Sequence, residues 1–216
     1  MTESSDQNLL DFALTLMHSR KNILPLHLDP PGPSAQQLQD ILGAAAAAPD
    51  HRQLLPWRFV IVPATQRQRL SEVFALALLE RDPNATPLQI ERASDKAYRS
   101  PFLMLAIAKL NVRPAPQAHA ENDPTHDSGA GTPEVNDAQR LLSLGCAIQN
   151  VILSAHAAGF GTGLTSGQAL ESPRLRALFN LQACEQAVCS INIGTVIKHK
   201  PARLRPAMAD YVSELS

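Results

Sequence analysis

The chain has 216 residues, 44% hydrophobic and 18% charged, with a formal net charge of -1. That is the size and composition of one well-buried soluble domain. No apolar run approaches the roughly 18 residues of a membrane span, and no basic stripe offers a surface for nucleic acid. Met1 to Asn8 is polar and acidic, without the basic-then-apolar order of a secretory leader, so the cytoplasm is the expected compartment. Cys146, Cys184 and Cys189 lack metal or redox spacing and read as reduced core residues.

In chain order, Leu9, Phe12, Ala13, Leu16 and Met17 share one face of an amphipathic helix over 8–19 that ends in Arg20-Lys21. Asp29-Pro30-Pro31-Gly32-Pro33 bars helix, and Ser34 with Gln37 forms a capping box for an alanine-rich helix running to 48. A strand is expected over 58–62. Thr65 and Gln68 repeat the capping signature before Leu70, Val73, Phe74, Ala77 and Leu78 at helical spacing. A short helix spans 87–98, and the apolar run 102–108 reads as a buried central strand. Residues 111–133, rich in proline, glycine and small polar residues, form a flexible insertion. A long helix follows over 136–158, apolar on most sides and expected between the sheet and a partner surface, with Gly159 as its left-handed cap. Ser172 caps a short helix with Pro173 in its first turn, and 187–193 is a further strand. Helices among three or four strands predict one layered α/β domain, and the tail after Lys198 has no core of its own.

Two stretches carry chemistry. In Ala48-Pro49-Asp50-His51-Arg52-Gln53-Leu54-Leu55-Pro56-Trp57-Arg58-Phe59, prolines fix a polar loop that delivers His51, Arg52 and Gln53 to a strand edge. The glycines at 159, 161, 163 and 167 follow a helix instead of opening one, which argues against a dinucleotide phosphate loop, because anions collect at helix amino termini. They suit a backbone that approaches a flat ligand closely. Neither a Ser/His/Asp order, a metal cluster nor a carboxylate pair stands out.

With Arg20-Lys21-Asn22, Ala48-Pro49-Asp50-His51, Pro56-Trp57-Arg58-Phe59, Gly145 to Asn150, Gly159 to Gly167, Ile193-Gly194-Thr195 and Arg203-Leu204-Arg205-Pro206, the chain resembles the FMN-dependent nitroreductases. Within that family it is similar to the YdjA-like subgroup of NAD(P)H nitroreductases. The resemblance covers nearly all of the chain except 111–133. It implies a three-layer α+β fold, a mixed central sheet flanked by helices, with the carboxy-terminal tail exchanged between the subunits of a homodimer. It also implies FMN as cofactor and NADH or NADPH as electron donor. Nitroaromatics, quinones or similar small molecules would be the acceptors, reduced by ping-pong hydride transfer.

FMN sets the site expectations. Its phosphate needs cations, and Arg20, Lys21, Arg203 and Arg205 are the candidates, with Arg20 and Arg205 ranked first for the bidentate fork of arginine. The ring needs an apolar face and donors for added negative charge, which the backbone N–H groups of Leu164, Thr165 and Ser166 beside Gly167 can supply. His51 matches a family histidine near the flavin. Asn22 stands where the family usually has serine, and Leu164-Thr165 where it has a Trp-Arg-like pair. Those departures keep an alternative open, a flavin-binding protein with little or no turnover. A related dehalogenating or desaturating flavin enzyme is a weaker third reading.

Overall fold

The computed structural model describes residues 3–111, 135–199, 201 and 204–215. The insertion expected at 111–133, apart from Asn111, and Arg203 lie outside the described residues.

The centre is strand β3 (Phe102–Lys109), whose alternation sends its side chains to two different cores. Met104, Ala106 and Ala108 join Ile41, Trp57 and the inner side of helix α5 (Asp137–Ala157). Leu103, Leu105 and Ile107 join Leu70, Phe74 and Leu175 on the opposite face. A sheet covered on both faces is a three-layer arrangement, which is why the run 102–108 is apolar without interruption.

The strand order is β1 (Leu28–Asp29), β5 (Glu185–Val196), β3, β2 (Trp57–Ile61), with β4 (Gly161–Thr165) also on β5. All four ladders among the described residues are antiparallel, and the parallel component is a bridge between Asn22 and Thr162. A register shift after Ala106 turns Cys189 to one core and Ala187 to the other, two residues apart on the same strand.

Helix α1 (Glu3–Ser19) forms, yet Leu9, Phe12 and Met17 on its expected inner face are 68%, 61% and 45% exposed. Ser34 and Gln37 make the reciprocal capping box of α2 (Ala35–Gly43), which continues as a 3-10 turn over Ala44–Ala47. The box expected at Thr65 does not form. Thr65 lies inside a 3-10 turn (Ala64–Gln66), so it lacks the extended backbone of a cap, and α3 (Arg67–Arg81) starts from Gln66 with no side-chain cap. Helix α4 (Pro87–Ser94) and the 3-10 turn Asp95–Tyr98 cover the expected 87–98 segment. Asn136 caps α5, Gly159 takes φ +88, and Ser172 accepts from Arg174 N at the start of α6 (Pro173–Leu178). The three cysteines are free.

Strands β1 and β4 are additions to the expected set. Glycines in β4 disguise it, and they serve the chain rather than a ligand. A Cβ on Gly161 would strike Val196 and Leu28, and one on Gly163 would strike the carbonyl oxygen of Ile23. The close approach expected at these two positions is therefore to β1, β5 and the segment after α1. Among the described residues no helix is long and apolar enough to cross a membrane.

Candidate functional site

The chain leaving α1 runs beside β4. Ile23 N donates to Thr162 O at 2.8 Å, and the side chain of Asn22 accepts from Leu164 N at 3.1 Å. This pairing ties 20–26 to 161–167, two segments more than a hundred residues apart that sequence reading had selected separately. It also engages a group expected to serve a ligand: the Leu164 N–H donates to Asn22 Oδ1 in this structure.

At one end of the paired segments the tail returns to α1. Arg205 Nη2 donates to the carbonyl oxygens of His18 at 3.2 Å and Arg20 at 3.3 Å. That caps the helix's negative end and brings the Arg205 charge close enough to act on Arg20. Burial, and then the neighbouring Arg205, lower the Arg20 pKa. His156, from the last turn of α5, shares a 2.8 Å hydrogen bond with Ser19 Oγ, and burial and Arg20 lower its pKa too. Among the described residues the salt bridges are Arg58–Glu185 and Arg174–Glu80, and neither involves Arg20 or Arg205. Lys21 is exposed, and Arg203 cannot be assigned a place.

At the other end opens a cavity of about 810 Å³. Leu24 and Pro25, at the start of the 3-10 turn Pro25–His27 that follows the cationic cluster, line it with Thr165, Ser166 and Gly167 at the exit of β4. Ser190 and Asn192 of β5 lie at its base, where Asn192 donates to Gly163 O and Thr165 Oγ1. Phe74, Leu78 and Leu103 give an apolar lining, and Arg81, Arg92, Lys96 and Arg99 rim the helical side. Sequence reading singled out none of these four cations, because α3, α4 and the following turn are polar on their outer faces. Thr165, Ser166 and Leu164 also line a smaller cavity of about 410 Å³ against α5, so the β4 exit is a wall between two spaces. A flat, largely apolar ligand with a few polar edges fits the larger cavity, and an anionic group fits the Arg20–Arg205 end.

His51 stands apart. Its 3-10 turn (His51–Gln53) is held by the Asp50 carboxylate, which accepts from Leu54 N and Leu55 N at 3.2 and 2.7 Å, with Arg52, Gln53 and Leu55 at positive φ. The loop is as constrained as its prolines imply. His51 is exposed, however, and lines neither cavity.

The model of the nitroreductase family matches residues 27–195. The chain belongs to that family. Among its relatives, a Haemophilus influenzae protein named "Putative NAD(P)H nitroreductase" is 30% identical over 85% of this chain and 88% of its own. The Escherichia coli K12 protein "Putative NAD(P)H nitroreductase YdjA" is 28% identical over 85% and 87%. A nitroreductase-like family protein from Bacillus cereus superposes with a TM-score of 0.74 at 15% identity, over 94% of this chain and 95% of that one. The FMN-dependent nitroreductase NfnB of Mycobacterium smegmatis, solved with NADPH, gives 0.67 at 14% identity over 96% and 100%. At those identities the structural likeness shows that the nitroreductase fold is shared. Family membership thus agrees with the resemblance carried by Ala48 to His51 and Pro56 to Phe59.

Proposed function

We propose that this nitroreductase-family chain is a homodimeric, FMN-dependent NAD(P)H oxidoreductase that reduces nitroaromatics, quinones or similar acceptors. The observation that carries the reading is Arg205 at the end of α1, its charge near enough to act on Arg20, with neither arginine in a salt bridge among the described residues. Two guanidinium groups brought together in a partly desolvated place repel each other, and a phosphate dianion removes that repulsion. Arg20 and Arg205 would hold the phosphate, with Lys21 and Arg203 as the other candidates. Leu24, Pro25 and the Thr165–Gly167 turn would receive the ring, and the rim cations favour negative charge added to it. FMN supplies a reversible two-electron site once bound; the protein's part is binding, orientation and exclusion of water.

Donor and acceptor have one large cavity to share, which predicts alternating occupancy and ping-pong kinetics. Uncovered apolar residues support the homodimer: Leu9, Phe12 and Met17 on α1, Leu142 on α5, and Leu204, Tyr211 and Leu215 on the tail. Exchange of the tail across the partner would cover the last three. His51, absent from the chain's own cavities, would then serve the site from the neighbouring subunit.

The engaged Leu164 N–H favours a second reading, a flavin-binding protein without turnover, because a donor meant for the reduced ring is spent on Asn22. Initial rates of NADH and NADPH oxidation by FMN-loaded protein, with a nitroaromatic and a quinone, separate the two. Parallel double-reciprocal lines support the enzyme. Bound flavin with no oxidation of either nucleotide supports the binding protein, and protein that takes up no FMN rejects both.

A further inference from the structure

The cationic rim of the larger cavity exceeds what a ring held there requires. Arg81 ends α3, Arg92 sits on α4, and Lys96 and Arg99 follow within the next two turns, so three consecutive elements converge on one opening. Among the described residues no aspartate or glutamate lines the cavity, although acids slightly outnumber lysine and arginine in the chain as a whole. Arg99 Nη2 donates to the Arg92 carbonyl oxygen at 3.2 Å, which holds two of the four in fixed relation. Burial, then Arg99, then Arg81 lower the Lys96 pKa, so the like charges are close enough to oppose one another. A two-electron-reduced ring adds about one negative charge to a site that presents four positive ones.

Resting on the flavin reading above, we propose that the Arg81–Arg92–Lys96–Arg99 rim is an acceptor-selecting subsite, and that the preferred acceptors are planar aromatics bearing a carboxylate or similar anionic substituent. The apolar lining of Phe74, Leu78 and Leu103 takes the ring of the acceptor, and the rim takes its charge. The reducible group is thereby directed to the opposite wall, at Thr165 to Gly167. The neutral isostere loses the charge-assisted contact and leaves the rim's mutual repulsion in place.

The test compares para-nitrobenzoate with para-nitrobenzamide, which differ in charge and little in shape. In FMN-loaded enzyme at low salt, kcat/KM for the anion should exceed that for the amide about tenfold or more, mostly through KM. Arg81→Gln and Lys96→Gln should each cut that ratio severalfold, with the loss in kcat/KM falling more on the anion than on the amide. The second readout is calorimetric binding of both compounds to oxidised protein, with and without flavin, where the same preference and the same losses are expected. Equal kcat/KM for the two acceptors, or a preference that survives both substitutions, overturns the proposal. A rise in KM for NADPH alone assigns the rim to the donor's phosphates and overturns it too. If the protein takes up no FMN, the functional reading fails, and the calorimetric arm still decides the subsite: retained preference for the anion sustains it, and none refutes it.

Discussion

Arg67 and Lys96 meet around one turn of chain, and burial lowers the pKa of both, yet only Arg67 is given acceptors. Arg67 is 6% exposed, and its guanidinium donates to the carbonyl oxygens of Val62, Ala97, Ser100 and Pro101, at 3.0, 2.6, 3.4 and 3.4 Å. It ties the start of α3 to the segment entering β3. Lys96, the residue before Ala97, faces a cavity shared with three arginines. The same charge in the same neighbourhood has become a structural pin in one case and an open valence in the other. For this pair, the number of protein acceptors supplied, rather than burial or pKa direction, separates the cation that holds the fold from the one that faces the cavity.

The sharpest way to break the comparison is Arg67→Met. Stranding four carbonyls around an apolar side chain should cost about 3–5 kcal/mol and lower Tm on the order of 10 °C, measured by calorimetry. A Tm within a couple of degrees of the parent would mean that water replaces the pin. Arg205→Ala, by contrast, should leave the flavin-free Tm nearly unchanged and weaken FMN about ten- to a hundredfold in a fluorescence titration. Should FMN bind as tightly as before, Arg205 is only the cap of α1.

A third cation supplies the intermediate case. Arg58 Nε and Nη2 reach both carboxylate oxygens of Glu185 at 2.7 and 2.8 Å, and this pair holds the Glu185 pKa down from 4.5 to about 2. A carboxylate depressed in the folded state contributes stability that is full above its ordinary pKa and is lost as pH falls towards the folded one. Denaturant midpoints should therefore decline between about pH 5 and pH 2, and Glu185→Gln should be less stable at pH 7 by about 1.5–3 kcal/mol with a flatter acid limb. A parallel pH profile for parent and variant would discount the pair.

The smallest effect concerns His156. Arg20 and burial disfavour its charged form in the free protein, and a phosphate on Arg20 would favour it again, so FMN binding should take up a proton. Affinity should rise about twofold from pH 8 towards pH 7, where a phosphate with a second pKa of about 6 is still mostly dianionic, and His156→Gln should flatten the trend. A trend unchanged in His156→Gln would place the proton elsewhere.

Much of the fold was legible because its signals are local. Ser34 with Gln37, Ser172 before Pro173, Gly159 after a 21-residue helix and the apolar run of β3 each act within a few residues. The Thr65 cap misled because a 3-10 turn took up the residues that it needed. β4 was hidden by glycines that look like a ligand loop until Ile23 and Val196 are seen against them. At the site, Arg20, Arg205 and Thr165 to Gly167 were legible through the family resemblance, whereas the rim was not. Arg92, Lys96 and Arg99 share a helical spacing, but Arg81 belongs to the preceding helix and joins them only when α3 and α4 pack.

The central claim is that Arg20 and Arg205 hold FMN and that the loaded chain passes electrons from a nicotinamide nucleotide to an acceptor. Its most direct test is anaerobic mixing of FMN-loaded protein with NADH or NADPH while the visible flavin absorbance is followed, then addition of para-nitrobenzoate. Bleaching by at least one nucleotide and recovery on adding the acceptor are the expected result; a flavin that stays oxidised with both nucleotides would contradict the account.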